Sequence, residues 1–327
     1  MSDPRTRAVV AQVLVVVGVA AAVSAVAVQA VINLRARGIA SGFGFLGRAA
    51  GFEIAPGPLE FTSRDTYARA LLVGLHNTLR VSLLGIVLAT LLGTAVGVAR
   101  LSNVWMASAI ARGYVEAMRN TPLLLQLLFW YSLSQALPAP REALNPLPGV
   151  FLCFRGLFLP ALRGRAGYPW VALERPVLAG FGFHGGTSIS PEFAALLVGL
   201  TTCTAAFIGE IVRGGILAVD KGQGEAAAAL GLSRSRILRL VVLPQALPVI
   251  IPPATSQLLN LVKNSSLAVA IGYADLISIT NTTLNQTGQA IEAIALAMAA
   301  YLVVSASLSL ALNAYNAAVL RRGGSRA

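Results

Sequence analysis

The sequence predicts an all-α integral membrane protein with about six transmembrane helices. Of its 327 residues, 56% are hydrophobic and 12% are charged, whereas an average soluble domain carries about 25% charged residues. Between the charged residues lie apolar runs that approach or exceed the length of about 20 residues that a helix needs to cross a bilayer. These observations exclude a soluble globular protein.

The first predicted span covers residues 8–34, where no Asp, Glu, Lys or Arg occurs. At a rise of about 1.5 Å per residue, a helix of this length crosses a hydrocarbon core about 30 Å thick. A cleaved signal peptide is the alternative, but its apolar core is usually only about 7 to 15 residues long. We therefore expect a retained N-terminal helix.

Five further charge-poor runs follow along the chain, at residues 81–99, 121–137, 193–209, 240–262 and 293–320, the fourth of them extending past Lys263 to residue 274. Six spans would put both termini on the same side of the membrane. The basic residues expected on that side are Arg5, Arg7, Arg100, Arg112, the group within 221–239, Arg321 and Arg322. Because short loops rich in Lys and Arg stay in the cytoplasm, we expect both termini to be cytoplasmic.

The segment at 138–190 is rich in Pro, Gly and Arg and is expected to form an ordered external loop rather than another span. Its apolar stretch at 150–162 contains Arg155 and is too short to cross the bilayer. We expect that stretch to form a short helix lying on the external surface.

A charged, alanine-rich segment, EAAAALGLSRSRILRLVVLP at 225–244, follows the run at 193–209 and leads into the next predicted span. Gly222 and Gly224 are expected to break the preceding helix, so that a short helix begins at Glu225, where the helix dipole favours a negative charge. Its small alanine side chains let the backbone approach another surface closely. Gly231 is placed to end it in a left-handed cap.

The residues after Gly231 are expected to start the next span. Ser233 can cap the following helix, and Pro244, Pro248 and Pro252, spaced by four, would interrupt its backbone hydrogen bonds as it enters the bilayer. From the residues alone, a surface hairpin between two spans explains this segment as well as a docking site does.

The spacing in this segment resembles the cytoplasmic signature of ABC importer permeases, the loop that docks into a cleft on the transporter's ATPase. It runs Glu225, Ala226, Ala227, three residues, Gly231, nine residues, Val241, one residue, Leu243 and Pro244. Val241 stands where isoleucine is usual. The resemblance implies that coupling to the ATPase is carried by Glu225, Ala226, Ala227, Gly231 and Pro244.

Longer stretches resemble the polar and general L-amino acid permeases of Gram-negative bacteria, from about residue 74 to the C-terminus. These stretches are HNTLRVSLLGIVLATLLGTAVGVARLS, MRNTPLLLQLLFWY, GEIVRGGILAVDKGQGEAAAALGLS and KNSSLAVAIGYADL. The external RGLFLP at 155–160 and the added N-terminal span are similar to the general amino acid subtype. Gly224 and Ala274 stand where Thr and Pro are expected, and the external insertion is shorter than is usual for that subtype.

This resemblance implies the transmembrane permease subunit of an ATP-driven ABC importer for L-amino acids in the bacterial inner membrane. Its partners would be an ABC ATPase dimer, a second homologous permease subunit and a periplasmic amino-acid-binding protein. An N-terminal transmembrane helix and periplasmic linker at 1–70 would precede a five-helix permease domain at 71–320. That domain would contain the external insertion at 138–190 and the cytoplasmic coupling loop at 220–244.

The chain itself is not expected to be an enzyme or to bind a metal or cofactor. It lacks the G-x-x-x-x-G-K-[ST] phosphate loop, so a partner must bind and hydrolyse ATP. The histidines, His76 and His184, are far apart and lack metal-ligand spacing, and Cys153 and Cys203 are too few for a metal site. Lys and Arg are scattered singly between apolar runs, without the basic stripe of a nucleic-acid-binding protein.

Five polar residues within the apolar runs are candidates for lining a translocation pathway: Lys263, Asn264, Ser265, Ser266 and Glu210. Such residues must face protein or water, because lipid would leave them unpaired. Two structural roles are the alternatives for Glu210. It lies three residues before Arg213, the spacing of a local ion pair within one helix. It could instead pair with Lys263 and hold two spans together. Gly93 and Gly97 form a small-xxx-small face suited to close helix packing, although glycine is common in membrane helices.

Two other functions remain open from the residues: an ABC permease for another small polar solute, and a stand-alone carrier or channel. The second would require more intramembrane charge and would not explain the docking signature. An intramembrane hydrolase is disfavoured, because neither H-E-x-x-H nor G-x-S-x-G occurs.

Overall fold

The computed structural model describes residues 4–36, 41–55, 57–164 and 171–324. Over these residues the chain is mainly helical, with short β-strands between the fourth and fifth helices. The helices are α1 (Pro4–Ala36), α2 (Tyr67–Arg100), α3 (Trp105–Asn120), α4 (Leu123–Gln135), α5 (Pro191–Leu217), α6 (Lys221–Ala229), α7 (Arg234–Ile237), α8 (Leu243–Asn264), α9 (Leu276–Thr287) and α10 (Ala290–Gly324).

Among the described residues, four helical segments are long and apolar enough to cross a membrane: Tyr67–Arg100, Pro191–Leu217, Arg234–Ile271 and Ala290–Ala314. The predicted runs at 81–99, 193–209, 240–262 and 293–320 fall within α2, α5, the segment containing α8, and α10. The helical conformation of these four runs is confirmed.

The two remaining predicted runs are also helical. α1 covers residues 8–34 and contains the apolar stretch Val10–Val26. The run at 121–137 forms α4, which has 13 residues and is shorter than the length of about 20 residues that a span needs.

The densest packing in the helical domain joins α2 to α5. A Cβ atom at Gly93 would lie 2.7 Å from the Cβ of Ile208, and one at Gly97 would lie 2.7 Å from the carbonyl oxygen of Gly209. Real Cβ atoms essentially never approach other heavy atoms this closely. The predicted close packing of the small-xxx-small face is therefore confirmed.

Helix α3 was not among the predicted spans, because its charged residues interrupt any apolar run. It is amphipathic, burying Ala111 and Val115 and exposing Trp105 and Ile110. The hydroxyl of Tyr114 donates to the carbonyl oxygen of Thr202 at 2.6 Å and ties α3 to α5.

The segment between α4 and α5 forms short antiparallel strands. They are β1 (Leu144–Leu147), β2 (Val150–Cys153), β3 (Gly156–Leu159), β4 (Ala161–Gly164), β5 (Val171–Glu174), β6 (Val177–Ala179), β7 (Gly182–His184) and β8 (Thr187–Ile189). One sheet has the strand order β1-β2-β3-β8, whereas β4 pairs with β5 and β6 pairs with β7.

The expectation of a short surface helix at 150–162 is wrong, because these residues form β2, β3 and the start of β4. Cys153 pairs with Gly156 across a tight turn. Gly156 has a φ of +126°, and a Cβ atom there would collide with the carbonyl oxygen of Ile189. Only glycine fits this reversal comfortably, and the chain between such turns is too short for a helix.

The segment that precedes α2 packs on the start of α10. The backbone N–H of Gly42 donates to Glu292 Oε1 at 2.6 Å, and Gln289 Nε2 donates to the carbonyl oxygen of Gly42 at 3.1 Å. Phe45, Ala50 and Tyr67 form a small apolar cluster beside these bonds. The described part of this linker is therefore an ordered cap on the helical domain.

Candidate functional site

Helix α6 stands clear of the helical core. Ala227 is its buried residue, and Leu230, which follows the helix, is 83% exposed. α6 packs mainly on α7 and on the π-helical turn Leu238–Val242 that leads into α8. A protruding helix with small side chains and an uncovered leucine can enter a cleft on another protein.

Helix α6 begins before Glu225, at Lys221, with Asp220 as its N-cap. Asp220 Oδ1 accepts a hydrogen bond from the backbone N–H of Gly222 at 2.7 Å. The expectation that Gly222 and Gly224 break the helix is wrong, because this cap lies upstream of both, and each glycine costs a helix only about 1 kcal/mol. Glu225 therefore lies in mid-helix with its side chain exposed, beyond the N-terminal turn where the helix dipole acts.

The expected left-handed cap at Gly231 is confirmed, with a φ of +80°. The N–H of Gly231 donates to the carbonyl oxygen of Ala228 at 2.9 Å, and that of Leu232 to Ala227 at 3.2 Å. This pair of bonds is a Schellman motif, which satisfies carbonyl groups at the helix end. No atom lies within 4 Å of a Cβ built at Gly231, so a side chain there would project into open space.

The chain from Gly231 into α8 follows the predicted order of elements with one difference. Ser233 occupies the N-cap position of α7, but its hydroxyl makes no capping hydrogen bond. The N–H of Leu243 donates to Leu238, the five-residue spacing of a π-turn, just before Pro244. Pro248 and Pro252 lie inside α8, where each removes one backbone donor.

The four predicted residues at 263–266 do not share one surface. Lys263 and Ser266 line a groove of about 580 Å³ between α8, α9 and α10, together with Tyr301 and Ser305. Ser265 is fully buried and donates to the carbonyl oxygen of Val262 at 2.7 Å. Asn264 is exposed but does not line this groove.

Glu210 lies in an ion-pair cluster where α2 meets α5. It accepts from Arg213 at 2.6 Å, which confirms the local pair three residues apart, and it also pairs with Arg100 of α2. Sequence reasoning placed Arg100 only as a cytoplasmic flank, because 110 residues separate it from Glu210. The one available signal was that both residues lie near the same predicted end of their spans.

Glu210 and Lys263 do not form an ion pair. Their separation follows from where their neighbouring residues contact α2. Gly97 of α2 faces Gly209, next to Glu210, whereas Gly85 faces Leu261, two residues before Lys263. The twelve residues from Gly85 to Gly97 correspond to about 18 Å of helix axis. The expectation that Glu210 could serve Lys263 as a counter-charge is therefore wrong.

Sequence reasoning missed Asp275, which lies between two of the apolar segments and is fully buried. Its Oδ1 accepts from the N–H of Ser278 at 2.8 Å as the N-cap of α9, and the hydroxyl of Tyr301 donates to Oδ2 at 3.5 Å. Burial raises the pKa of Asp275 to about 6, against the lowering effect of these hydrogen bonds. Since Tyr301 also lines the groove, Asp275 lies directly behind its wall. The available signal was an Asp three residues before Ser278 at a helix start.

Residues 81–322 match a protein family described as "Binding-protein-dependent transport system inner membrane component". The chain belongs to this family. This family member is 42% identical to the general L-amino acid transport system permease protein AapQ of Rhizobium johnstonii, over 97% of this chain and 93% of the relative. It is 36% identical to the glutamate/glutamine/aspartate/asparagine transport system permease protein BztB of Rhodobacter capsulatus, over 97% of this chain and 94% of the relative.

A solved amino acid ABC transporter structure, described as containing histidines, is similar to this inner membrane component. The TM-score is 0.56 and the identity is 26%, over 76% of this chain and 94% of that chain. Helix α6 with the chain that leads into α8, the Glu210 cluster and the groove all lie inside the residues that match the family. The chain is thus a membrane component of a transport system that depends on a binding protein.

Proposed function

We propose that this inner membrane component is a permease subunit of an ATP-driven ABC importer for L-amino acids. An ABC ATPase dimer would supply ATP hydrolysis, a second homologous permease subunit would complete the pathway, and a periplasmic amino-acid-binding protein would deliver substrate. The name of AapQ specifies general L-amino acid transport, and the name of BztB specifies transport of glutamate, glutamine, aspartate and asparagine; both support this substrate class.

The observation that carries the proposal is the protruding α6 helix with its Gly231 cap. α6 packs on the turn Leu238–Val242, which continues into α8. A partner that grips α6 would therefore move α8 with it. Closure of the ATPase dimer would become a rigid-body movement of the spans, which alternates access to the pathway.

The proposed topology has six spans, formed by α1, α2, α4, α5, α8 and α10, with α4 continuing the membrane crossing that α3 begins. Both termini and α6 would be cytoplasmic, because the basic residues flanking these helices cluster on that side. The strands between α4 and α5 would then lie on the external side.

The groove beside Lys263 is proposed as part of the substrate route. A zwitterionic amino acid needs partners for both charges, since an unpaired charge at the bilayer centre costs roughly 3 kcal/mol or more. Lys263 would bind the carboxylate, and Ser266 and Ser305 would supply neutral hydrogen bonds. Glu210, which Arg100 and Arg213 hold, instead joins α2 to α5.

The test compares Gly231→Ala with Gly231→Trp in the complete transporter in proteoliposomes. Both variants place an L side chain at a φ of +80°, so they carry the same backbone strain of about 1 kcal/mol. Only the tryptophan adds bulk, and the open space at this position accommodates it in the isolated subunit. We expect Gly231→Trp to lower both ATP-driven uptake and ATPase pulldown by about tenfold or more, a loss of about 1.4 kcal/mol of docking free energy, with Gly231→Ala near the parent.

Gly113→Trp is the control for bulk, because it also has no atom within 4 Å of its Cβ position and lies on α3. Normal uptake by Gly231→Trp would contradict docking at α6. Uptake that persists with an ATPase unable to hydrolyse ATP would instead indicate a stand-alone carrier. Uptake of a different polar solute, with no amino acid transported, would contradict the substrate class.

A further inference from the structure

The β6–β7 hairpin presents an unusually exposed aromatic side chain. β6 and β7 pair Ala179 with Gly182, which leaves a two-residue turn of Gly180 and Phe181. Gly180 has a φ of +66°, as the first residue of such a turn favours. Phe181 is 78% exposed, although a phenylalanine side chain is usually buried among other apolar residues.

The hairpin is held firmly on the four-stranded sheet. Phe183, two residues after Phe181, stacks on Phe151 of β2 with ring centroids 4.6 Å apart and lies 4.8 Å from Phe158 of β3. Because residues two apart in a strand point to the same side while turn residues project beyond it, Phe183 anchors the hairpin and leaves Phe181 free. The position of Phe181 is thus set before any partner arrives.

Two arginines complete the tip of the hairpin. Arg155 Nη1 donates to the carbonyl oxygen of Phe181 at 3.0 Å, and the Arg141 guanidinium lies 5.6 Å from the centre of the Phe181 ring. Both arginine side chains are exposed. An ordered aromatic ring with exposed guanidinium groups around it has the composition of an interface hot spot.

We propose that this tip, Phe181 with Arg141 and Arg155, docks the soluble binding protein of the transport system by inserting into an apolar pocket with an acidic rim. The inference rests on the proposed function, which places the insertion on the external side. The charge supports it, since five Arg and two Glu within 138–190 give the insertion a net charge of +3. A partner with acidic residues complements that charge.

An anionic lipid surface is the competing occupant, and the hairpin fits it less well. Segments that lie on membranes present several apolar side chains on one face. Val177 and Leu178 are both exposed, but adjacent strand residues point to opposite sides. The hairpin therefore offers a single projecting ring rather than an apolar face that could lie flat on lipid.

The first experiment measures the affinity of the purified, substrate-loaded binding protein for the complete transporter in nanodiscs of phosphatidylethanolamine and phosphatidylglycerol. Phe181→Ala should weaken binding by about 25-fold, the loss of a hot spot of about 2 kcal/mol. Leu72→Ala removes an exposed apolar side chain from α2, outside the insertion, and should leave the affinity unchanged. Basal ATP hydrolysis should be the same in all three proteins.

The second experiment places a fluorescent label at Ala179→Cys, one residue before the turn. Cys153 and Cys203 are buried, so a membrane-impermeant, environment-sensitive dye should react selectively at the new cysteine in intact spheroplasts. The emission should shift to shorter wavelength when the binding protein is added to the nanodiscs. Before that addition, brominated lipids should not quench it.

The outcomes separate the two levels of the proposal. If the binding protein engages the parent and Phe181→Ala with equal affinity, the docking inference is overturned while the proposed function stands. If brominated lipid quenches the label without the binding protein, the hairpin is a membrane contact and the inference is also overturned. If the parent transporter engages no binding protein, or the label reacts only after the membrane is opened, the proposed function fails with it.

Discussion

Replacing Gly97 by alanine tests the contact that joins α2 to α5. The added methyl group would lie 2.7 Å from the carbonyl oxygen of Gly209 and 2.8 Å from the Cβ of Val212. The first of these atoms belongs to the backbone of α5 and cannot move by a change of rotamer. The two helices would therefore have to separate by several tenths of an ångström.

The magnitude follows from two opposing effects. Overpacking a tight contact destabilises a protein by about 1–3 kcal/mol. Replacing glycine by alanine within a helix stabilises it by about 0.5–1 kcal/mol. Gly214→Ala provides the matched control, because Gly214 lies on α5 with no atom within 4 Å of its Cβ position. The gain in helix propensity is common to Gly97→Ala and Gly214→Ala. The unfolding free energies of these two variants should therefore differ by about 1–3 kcal/mol, which is the effect of overpacking alone.

The assay is denaturant unfolding of the detergent-solubilised protein, followed by circular dichroism. Gly97→Ala should be less stable than Gly214→Ala, and Gly214→Ala should be slightly more stable than the parent. Adding Val212→Ala to Gly97→Ala should restore little stability, because the Gly209 oxygen stays in place. Equal stabilities for Gly97→Ala and Gly214→Ala would refute the close α2–α5 contact, and full rescue by Val212→Ala would show that the backbone contact is not the limiting one.

Two further predictions concern the groove. Lys263→Met should lower amino acid uptake at least about tenfold, equivalent to 1.4 kcal/mol, without changing the heat stability of the assembled transporter, and unchanged uptake kinetics across several amino acids would remove Lys263 from the route. For Asp275, the pKa in the folded protein is about 6, above the usual 3.8. The folded protein therefore holds the proton of this carboxyl group more tightly than the unfolded chain does. The resulting contribution to the free energy of unfolding is fully present below the unfolded pKa of 3.8 and is lost as the pH rises through 6. Asp275→Asn keeps an N-cap oxygen, so between pH 4 and 7 the parent should lose about 2 kcal/mol more stability than the variant in thermal unfolding; parallel pH profiles would contradict this.

The sequence determined the features that depend on neighbouring residues. A charge-free run close to the length needed to cross a bilayer predicts a helix whatever the rest of the fold is. The runs at 81–99 and 193–209 are helical in the structure. The cap at Gly231 followed from the same kind of local argument, since its two hydrogen bonds lie within six consecutive residues. The resemblance of residues 225–244 to the ABC permease signature was likewise visible in the sequence, because the residues that carry it are close together in the chain.

Tertiary structure decided what depends on residues far apart in the chain. Within residues 150–162, β3 pairs with the distant strand β8, and the orientation of Phe181 depends on the stacking of Phe183 on Phe151. Glu210 was readable as a partner of Arg213, but its pairing with Arg100 arises because glycines bring α2 and α5 into direct contact. That same packing separates Glu210 from Lys263 along the helix axis. Local spacing carries no information on such distances, because they are set by which helix faces meet.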